Sequence, residues 1–396
     1  MKAIEIIGLG CGNEGKAKIS DFLASDAKYV IRDTNTVGEN HTVYLDKDTS
    51  KSFIYLPSGF NKAIKVITNN VFLDLNYIIK VIDNESISAD DLKISFDAFF
   101  YLPWHAGIKD PLAQLKEDII NNKALQLKDL YRGDLLTLVK DLVKNQNKLL
   151  TGKNKELYDT KYIFDLLNTY AIKLRPYLCD TNLLIASAND DDKLVLEGST
   201  SILPYFLPDS NKILEVTNIK SLNRKLFSET IGVVKTFLSS KDDINLPTKI
   251  ANEQDIHHFL NNGEEYSAKT KSYNYIYWLD TVLLRYLIKV NGITKIALTF
   301  LDTLTGLPKI KVCKSYNYKG CELTDFPSEL TDFTQVVPNY VELKGWESDL
   351  SKVKKLKDVP KTVLKFVKAL EELLDCEIAI ISFGKSRFQT VELKGI

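Results

Sequence analysis

A short apolar run, a glycine-rich loop and a helix follow one another at the start of the chain, and this order constrains the fold more than any other segment. Residues 3–8 are apolar and rich in β-branched side chains, which predicts a buried strand. Glycines then punctuate residues 8–15, and apolar spacing predicts a helix over 16–25. Backbone N–H groups of such a loop, together with the helix N-terminus, favour an anion such as phosphate.

Two lysines, Lys16 and Lys18, stand where they could add positive charge to this loop. The pattern G-x-x-x-x-G-K-[ST] does not fit, because Ala17 follows Lys16 and the glycine spacing differs. A tight turn without a ligand therefore stays an open alternative for the loop taken alone.

Strands and helices alternate along the rest of the chain. Further strands are predicted at 28–31, 42–44, 52–56, 66–67, 183–186, 194–197, 295–301, 309–316 and 377–383. Helices are predicted at 112–120, 135–143, 162–174, 231–238, 278–289 and 363–374. This alternation predicts an α/β fold with a single large, mostly parallel central sheet flanked by helices, and residues 1–396 are expected to form one domain.

Composition narrows the class of protein. The 52 basic and 52 acidic residues cancel, which argues against general nucleic-acid or membrane-surface binding. Five cysteines without a C-x-x-C pair fit a reducing compartment better than a disulfide framework or a zinc site. No apolar stretch reaches 18 residues, so a membrane span is not expected and a cytoplasmic location is.

Motifs in one consistent order carry a resemblance to a known family. The segment at 8–18 is similar to the loop G-D-E-G-K-G-K of the adenylosuccinate synthetases. Other segments that resemble family motifs are H-T-V at 41–43, L-P-S-G at 56–59, L-P-W-H at 102–105, L-E-G at 196–198, W-L-D at 278–280, T-F-L-D at 299–302, I-K-V-C at 310–313, L-K-G-W at 343–346 and I-S-F-G at 381–384. The chain is therefore identified as a divergent member of that family.

The resemblance implies a reaction. Family members join aspartate to the purine of IMP at the expense of GTP: a phosphoryl group activates the purine oxygen, and the amine then displaces it. For this chain it implies a ligase that binds purine nucleotides, an amino acid and Mg²⁺, with GTP or ATP as co-substrate, and that forms a homodimer.

The resemblance also implies roles for single residues. His41 would stabilise the transferring phosphoryl group and Lys16 would lie near the phosphates. Asp302 would pair with the guanine N1 and N2 hydrogens, although an acidic residue at a strand end is often just a cap. The nucleotide-binding candidates are Gly12, Glu14, Gly15, Lys16, Asp302, Ser382 and Gly384.

Departures from the family pattern affect the catalytic loop. Asn13 replaces an aspartate that is the family's proposed general base and a Mg²⁺ ligand. An amide cannot act as that base, although its oxygen can still bind a cation. Asn13, His41 and Lys16 are the catalytic candidates, and Asn13 and Asn40 are the metal candidates. Phage-type synthetases of the aminoadenine pathway also replace this aspartate, but by a small hydroxyl residue.

Further departures affect the substrate side. The family's T-T-G-R-G-I-G-P phosphate loop is missing between 121 and 135, and Ser272 and Asn274 stand at the two arginine positions of its carboxylate-binding T-T-G-R-x-R loop. Phe300 replaces the lysine of T-K-L-D. The substrate-binding candidates that remain are Gly38, Thr200, Thr217, Lys269 and Lys271. Two hypotheses stay open: a ligase with an altered substrate, and a catalytically inactive nucleotide-binding paralogue with a regulatory or assembly role.

Overall fold

A computed structural model of the chain describes residues 2–33, 41–46, 49–60, 62–106, 108–150, 157–207, 227–263, 266–267, 272–330 and 332–396. Its strands are β1 Lys2–Gly8, β2 Tyr29–Arg32, β3 His41–Tyr44, β4 Ser50–Phe53, β5 Ile64–Ile67, β6 Leu92–Ser95, β7 Leu178–Cys179, β8 Lys193–Ser201, β9 Phe227–Lys235, β10 Phe237–Ser240, β11 Tyr266–Ser267, β12 Ser272–Tyr273, β13 Tyr275–Asp280, β14 Lys295–Thr299, β15 Lys309–Tyr318, β16 Cys321–Leu323, β17 Val336–Lys344, β18 Glu377–Ser382 and β19 Thr390–Glu392. Its α-helices are α1 Lys16–Leu23, α2 Leu75–Glu85, α3 Pro111–Ile120, α4 Leu135–Leu150, α5 Thr160–Leu174, α6 Thr181–Ala186, α7 Glu253–Asn262, α8 Thr281–Asn291 and α9 Lys361–Leu374.

A large parallel sheet organises the described chain, as the sequence predicts. Its ten strands run in the order β19-β18-β14-β9-β1-β8-β2-β5-β6-β7. Every neighbouring pair is parallel except β18 and β19, which are antiparallel. The loops that follow β1, β2, β8, β9, β14 and β18 therefore leave the sheet at one carboxyl edge, where ligands bind in open α/β sheets.

The first strand lies in the middle of this sheet, between β8 and β9. Its inward side chains Ile4 and Ile6 are fully buried and pack against Ile19 and Leu23 of α1. This packing fixes the start of α1 directly above the carboxyl end of β1. The glycine-rich loop is thereby held at the centre of the edge where the other strand ends converge.

A smaller sheet joins β10, β13, β15 and β16, with β17 paired to β15. Its side chains share one hydrophobic cluster with α8, α9 and the β9–β14–β18 side of the large sheet. Among the described helices, none combines the length and the apolar composition that a bilayer crossing needs.

Two predictions of local structure are wrong. Residues 231–238, predicted as a helix, form the end of β9 and the start of β10. Ile231 and Val233 pack into one hydrophobic cluster and Val234 into another, so both faces of β9 are covered. A strand covered on both faces reads as a continuous apolar run, which spacing alone cannot separate from a helix.

The second wrong prediction is the strand at 183–186, which belongs to helix α6. The Asp180 carboxylate accepts the backbone N–H groups of Asn182 and Leu183, both at 3.0 Å. Such N-capping by aspartate starts a helix even where the following residues are strongly apolar. The predicted helix at 278–289 is likewise shorter, because β13 continues to Asp280 and α8 begins one residue later.

Asp280 is a helix cap without access to water. Its Oδ1 accepts the N–H groups of Val282 and Leu283 at 3.1 Å, and its Oδ2 accepts the hydroxyl of Tyr316 at 2.6 Å. The residue is 0% exposed, and this burial raises the pKa of its carboxyl group to about 6, although the three hydrogen bonds oppose the rise. The folded protein therefore holds this proton more tightly than an unfolded chain does.

Replacing Asp280 with asparagine should change how stability depends on pH. The stabilising effect of the protonated carboxyl is fully present below about pH 4 and is lost as the pH rises through 6. The free energy of unfolding of the unmodified protein, relative to Asp280→Asn, should fall by up to about 3 kcal/mol between pH 4 and pH 7. Urea titrations at pH 4, 5.5 and 7 measure this difference directly.

A matched control is Asp159→Asn, which makes the same change at the exposed N-cap of α5. This control reports the effect of the substitution itself on a helix cap that faces water. Parallel curves for Asp280→Asn and the unmodified protein would contradict the expected proton linkage.

Candidate functional site

The glycine-rich loop is organised by a buried carboxylate, that of Glu14. Its Oε1 accepts the N–H groups of Gly10 at 3.1 Å and Gly12 at 2.8 Å, and its Oε2 lies 2.9 Å from Lys16 Nζ. Burial raises the pKa of Glu14, but the Lys16 charge and the hydrogen bonds outweigh it and bring the pKa down to about 2. Glu14, a predicted nucleotide contact, thus faces inward and takes up two of the loop's N–H groups.

Lys16 joins this loop to the end of β8. Lys16 is 8% exposed, and its ammonium group donates to the Ser201 hydroxyl at 2.9 Å as well as to Glu14. The pair lies so close to Gly8 that a Cβ there would come within 2.8 Å of Lys16 Nζ, so a side chain at this position would displace the Lys16–Glu14 pair. Gly15 precedes α1 with φ 88°, a left-handed conformation that favours glycine.

The loop is also tied to β14 on the other side of the sheet centre. Thr299 Oγ1 donates to the carbonyl of Glu14 at 2.7 Å, and Thr299 is 3% exposed. Asn13, in contrast, is exposed and has φ 56°. Asparagine tolerates this left-handed region better than most residues do. The catalytic candidate at 13 therefore lies on the solvent side of a loop whose interior is fixed.

A buried cluster around His41 occupies the ends of β2 and β8. Arg32 Nη1 lies 2.9 Å from Glu197 Oε1 and 2.6 Å from the ring nitrogens of His41, and His41 Nδ1 contacts Glu197 Oε1. The N–H of Ser58 donates to Glu197 Oε2 at 2.6 Å. Glu197 is 0% exposed, so its charge depends on these partners.

Electrostatics at His41 favour the neutral imidazole. Burial lowers the pKa of His41 well below its usual range, and the positive charges of Arg32 and Lys16 lower it further. The Lys16 charge is thus close enough to affect the protonation of His41, so two of the three catalytic candidates lie in one site. A neutral imidazole has a single N–H, which here meets the acceptor-only Glu197 carboxylate through Nδ1, so donation to a bound anion would require that contact to be exchanged.

Lys18 does not direct its charge toward the glycine-rich loop. Its Nζ donates to three backbone carbonyls, those of Phe383 at 3.2 Å, Gly384 at 3.0 Å and Gln389 at 3.0 Å. Burial lowers the pKa of Lys18 to about 7, and the negative charge of Asp302 opposes this. Helix α1 is in this way tied to the turn after β18.

Asp302 and Ser382 complete this side of the site. Asp302 belongs to the short 3-10 helix Leu301–Leu304, and its Oδ1 is shielded from water without a hydrogen-bond partner among the described residues. Ser382 is 2% exposed, with its hydroxyl 3.4 Å from the Gln389 carbonyl. Gly384 follows with φ 63°. An acceptor buried without a partner is costly, so Asp302 fits a ligand that brings N–H donors.

Other predicted site residues lie outside the described residues: Gly38, Asn40, Thr217, Lys269 and Lys271. Thr200 belongs to β8, of which only the backbone is described at that residue. Within the described ranges, no group of three or more His, Cys, Asp or Glu side chains could hold a metal ion. A metal role for Asn13 and Asn40 therefore stays a prediction.

Some residues of this site had no functional role predicted from the sequence, above all Arg32, Ser58 and Ser201. Arg32 ends an otherwise apolar strand, β2, and is 1% exposed. A charged residue at the carboxyl end of a buried parallel strand is the signal that could have found it.

Comparison with known proteins identifies the family. A family model described as adenylosuccinate synthetase matches residues 5–391. Adenylosuccinate synthetases from Thermoanaerobacter sp. (strain X514) and Caldanaerobacter subterraneus subsp. tengcongensis are 33% and 32% identical to the chain, each alignment covering 100% of both proteins.

Two solved structures share the fold. A fully ligated adenylosuccinate synthetase from Plasmodium falciparum has a TM-score of 0.82 at 23% identity and covers 100% of both chains. A cyanophage S-2L succinoaminodeoxyadenylate synthetase bound to dGMP and dATP has a TM-score of 0.54 at 12% identity and covers 100% of this chain and 96% of that one. Because the family model matches nearly the whole length of this chain, the chain belongs to the adenylosuccinate synthetase family, whose members are ligases.

Proposed function

We propose that this chain is a ligase that uses a purine nucleoside triphosphate to join an amino acid to a purine nucleotide through a C–N bond. The observation that carries this proposal is the meeting of two buried clusters at one sheet edge, Lys16 with Glu14 and His41 with Arg32 and Glu197. Full-length likeness to named synthetases supports it.

The chemistry of phosphoryl transfer suits these clusters. The transferring group spreads negative charge over its equatorial oxygens, and catalysis rests on donors and positive charges already in place. Lys16 supplies an ammonium group held by Glu14 and Ser201. His41 would donate its single N–H to the phosphoryl group in exchange for its present contact with Glu197, with the Arg32 guanidinium as a fixed positive charge beside it. These groups would activate the purine oxygen that the amine later displaces.

GTP is the proposed triphosphate. Guanine presents adjacent N1 and N2 hydrogens, and the shielded Oδ1 of Asp302 is an acceptor that lacks a partner among the described residues. Adenine presents a bare N1 at the corresponding edge and would leave this oxygen less well satisfied. ATP is the alternative triphosphate, and binding measurements with both nucleotides distinguish it from GTP.

Mg²⁺ would accompany the triphosphate, but the described residues fit it only in part. Position 13 offers an exposed amide oxygen in place of a carboxylate. Mg²⁺ is commonly held by substrate phosphates and water with one or two protein ligands. Phosphate oxygens would therefore supply most of its ligands here, and Asn13 and Asn40 would add at most neutral ones.

The purine-nucleotide side is where the substrate would differ from IMP. Helix α3 ends at Ile120, a 3-10 helix spans Leu127–Tyr131, and α4 begins at Leu135. This connection has no room for the family's phosphate loop. Arg132 is exposed, with its Nε 2.8 Å from Asp134, so it offers a surface cation close to that deletion.

A second candidate function is nucleotide binding without catalysis, and the exposed amide of Asn13 favours it. Phosphate release measured with purine nucleotides, each with and without amino acids, separates the two functions. Turnover that depends on both a purine nucleotide and an amino acid supports the ligase. Nucleotide binding without any turnover supports the second function. A cytoplasmic homodimer is proposed in either case on family grounds.

Replacing Lys16 with alanine should weaken binding of the triphosphate about tenfold or more, since a hydrogen bond to a charged group contributes roughly 1.5–3 kcal/mol. Isothermal calorimetry with GTP and ATP measures the change. Lys16→Arg keeps the charge beside Glu14 and should lose less. Lys365→Ala, on an exposed face of α9, is the control for loss of one surface charge. Equal affinities for Lys16→Ala and the unmodified protein would contradict the phosphate role.

Formation of adenylosuccinate from IMP, aspartate and GTP should be at least about a hundredfold slower than in relatives with an aspartate at position 13, because a positioned general base contributes about 10²–10⁴-fold. Asn13→Asp alone should not restore the rate, since the missing phosphate loop and the changed residues at Ser272 and Asn274 remain. A coupled spectrophotometric assay on both proteins tests this. Family-like turnover by the unmodified protein would refute the altered substrate site.

Sedimentation equilibrium at micromolar concentration should give about twice the chain mass of 44.9 kDa. The reason is the dimeric state of the family that the chain belongs to. A mass near 44.9 kDa at every concentration would refute the homodimer.

A further inference from the structure

A lysine-rich segment with no role in the proposed ligase site leads into α9 and along it. Residues 354–368 hold six lysines and a single acidic residue, Asp358, although basic and acidic residues cancel over the whole chain. All six lysines are exposed: Lys354, Lys355, Lys357, Lys361, Lys365 and Lys368. Together these six side chains form the basic face, a local surplus of positive charge on a neutral protein.

Buried neighbours fix the basic face in place. Val353 and Val359 are 3% and 6% exposed, and they hold the stretch with the first three lysines against the core. Phe366 anchors α9 from its inner side, where its ring meets that of Trp346 edge to face at 5.4 Å. The three lysines of α9 are spaced by four and three residues, so they share the outer face of the helix over about 10 Å of its axis. The positive charges are therefore presented as a fixed row.

The charge of the basic face is not neutralised by neighbouring side chains. Among the described residues, its six ammonium groups form neither ion pairs nor hydrogen bonds. The carboxylate of Asp358 accepts the backbone N–H of Lys355 at 3.2 Å instead. Three other exposed lysines each have a carboxylate oxygen within 2.9 Å: Lys128 with Asp97, Lys173 with Asp83 and Lys309 with Glu342. The basic face is thus open to an anionic partner from outside the chain.

Side chains of the same segment indicate which polyanion fits. An anionic membrane fits poorly, because the apolar side of α9 is buried in the core and Leu356 alone among the large apolar residues of 354–368 is exposed. A single-stranded nucleic acid fits poorly as well, since its bases stack on exposed aromatic rings and the one aromatic residue of the segment, Phe366, is 2% exposed. Lysine offers a point charge without the fork or the acceptors that read bases, which suits contacts to phosphates.

Duplex DNA matches a fixed row of lysines, because it carries one negative charge per about 1.7 Å of helix axis in a regular array. Thr362 is the one hydroxyl side chain of the segment, so recognition of RNA through its 2′-hydroxyl groups has little to act through. The neutral charge of the whole chain does not oppose binding, since salt screens charges beyond a Debye length of about 8–10 Å.

We propose that the basic face is a docking surface for duplex DNA, which it holds through the phosphate backbone without regard to base sequence. The surface is independent of the proposed ligase site, because none of its six lysines is a candidate residue of that site. Contacts between lysine and phosphate release counterions from the DNA, so the affinity should fall steeply as salt is added.

Fluorescence anisotropy with a labelled DNA duplex, measured over a series of salt concentrations, tests the proposal. The unmodified protein should bind with a Kd of about 10⁻⁴–10⁻⁶ M at physiological salt, and log K should fall with log salt by about 0.9 per phosphate contacted. Lys361→Gln, Lys365→Gln and Lys368→Gln together should reduce that slope by up to about 2.7 and weaken binding about tenfold or more, while glutamine keeps the helix. Arginine at the same three positions keeps the charge and should bind DNA within about threefold of the unmodified protein.

A matched control removes the same charge from lysines that already have carboxylate partners: Lys128→Gln, Lys173→Gln and Lys309→Gln together. This control should keep the DNA affinity and the salt slope of the unmodified protein. If thermal melting shows that the glutamine variant of α9 is unfolded, Lys354→Gln, Lys355→Gln and Lys357→Gln together replace it, with the same expected losses.

Three results would overturn the docking surface: no DNA binding at low salt, an unchanged salt slope in the folded glutamine variant, or an equal loss in the control. Competition identifies the partner. Displacement of the labelled duplex by polyglutamate or by duplex RNA at a lower charge concentration than unlabelled DNA requires would overturn the assignment to DNA, and would assign the face to an acidic protein or to RNA.

Discussion

The contact between the Glu14 carboxylate and Lys16 is the interaction on which the candidate site depends. A buried carboxylate costs several kcal/mol unless its oxygens are matched by donors and charge. Among the described residues, the donors close to it are the N–H groups of Gly10 and Gly12, the Lys16 ammonium group and the Ser201 hydroxyl. The loop must therefore curl around Glu14, and removal of Lys16 would leave a buried charge with neutral donors alone, a loss that typically costs about 3–5 kcal/mol.

Strand β8 links this contact to the His41 cluster. It carries Glu197 and Ser201, four residues apart, so one strand end holds a partner for each cluster. A register shift between β1 and β8 falls in this stretch, and a Cβ at Gly198 would lie 2.5 Å from the Ile6 carbonyl oxygen. The absence of a side chain at Gly198 thus allows the strands to approach where both clusters meet. Displacement of β8 would disturb both of them together.

Much of this arrangement follows from sequence pattern, and the rest does not for physical reasons. The order of short apolar strands and amphipathic helices predicts the parallel sheet, because the spacing of apolar residues in each element indicates which of its faces is buried. It fails at β9, where burial on both faces removes the alternation, and at α6, where the Asp180 cap decides between helix and strand.

Side-chain direction is the second limit on prediction from sequence. Lys16 and Lys18 are two residues apart at the start of one helix, and both read as charges for phosphate. In the structure Lys16 pairs with Glu14, whereas Lys18 binds carbonyls after β18. Residues two apart on a helix face different ways, so their partners depend on which segments surround α1 in the fold. A single sequence does not supply those neighbours.

The two sides of the glycine-rich loop are under different structural constraints. Glu14 points inward and its loss would disturb the strand ends that it joins. Asn13 is exposed at φ 56°, where asparagine fits the backbone well and no buried partner constrains the choice. An exchange between aspartate and asparagine at this position should therefore have little effect on stability. A similar difference in burial holds at β14, where the buried Thr299 anchors the loop and the side chain of the next residue, Phe300, is only partly buried.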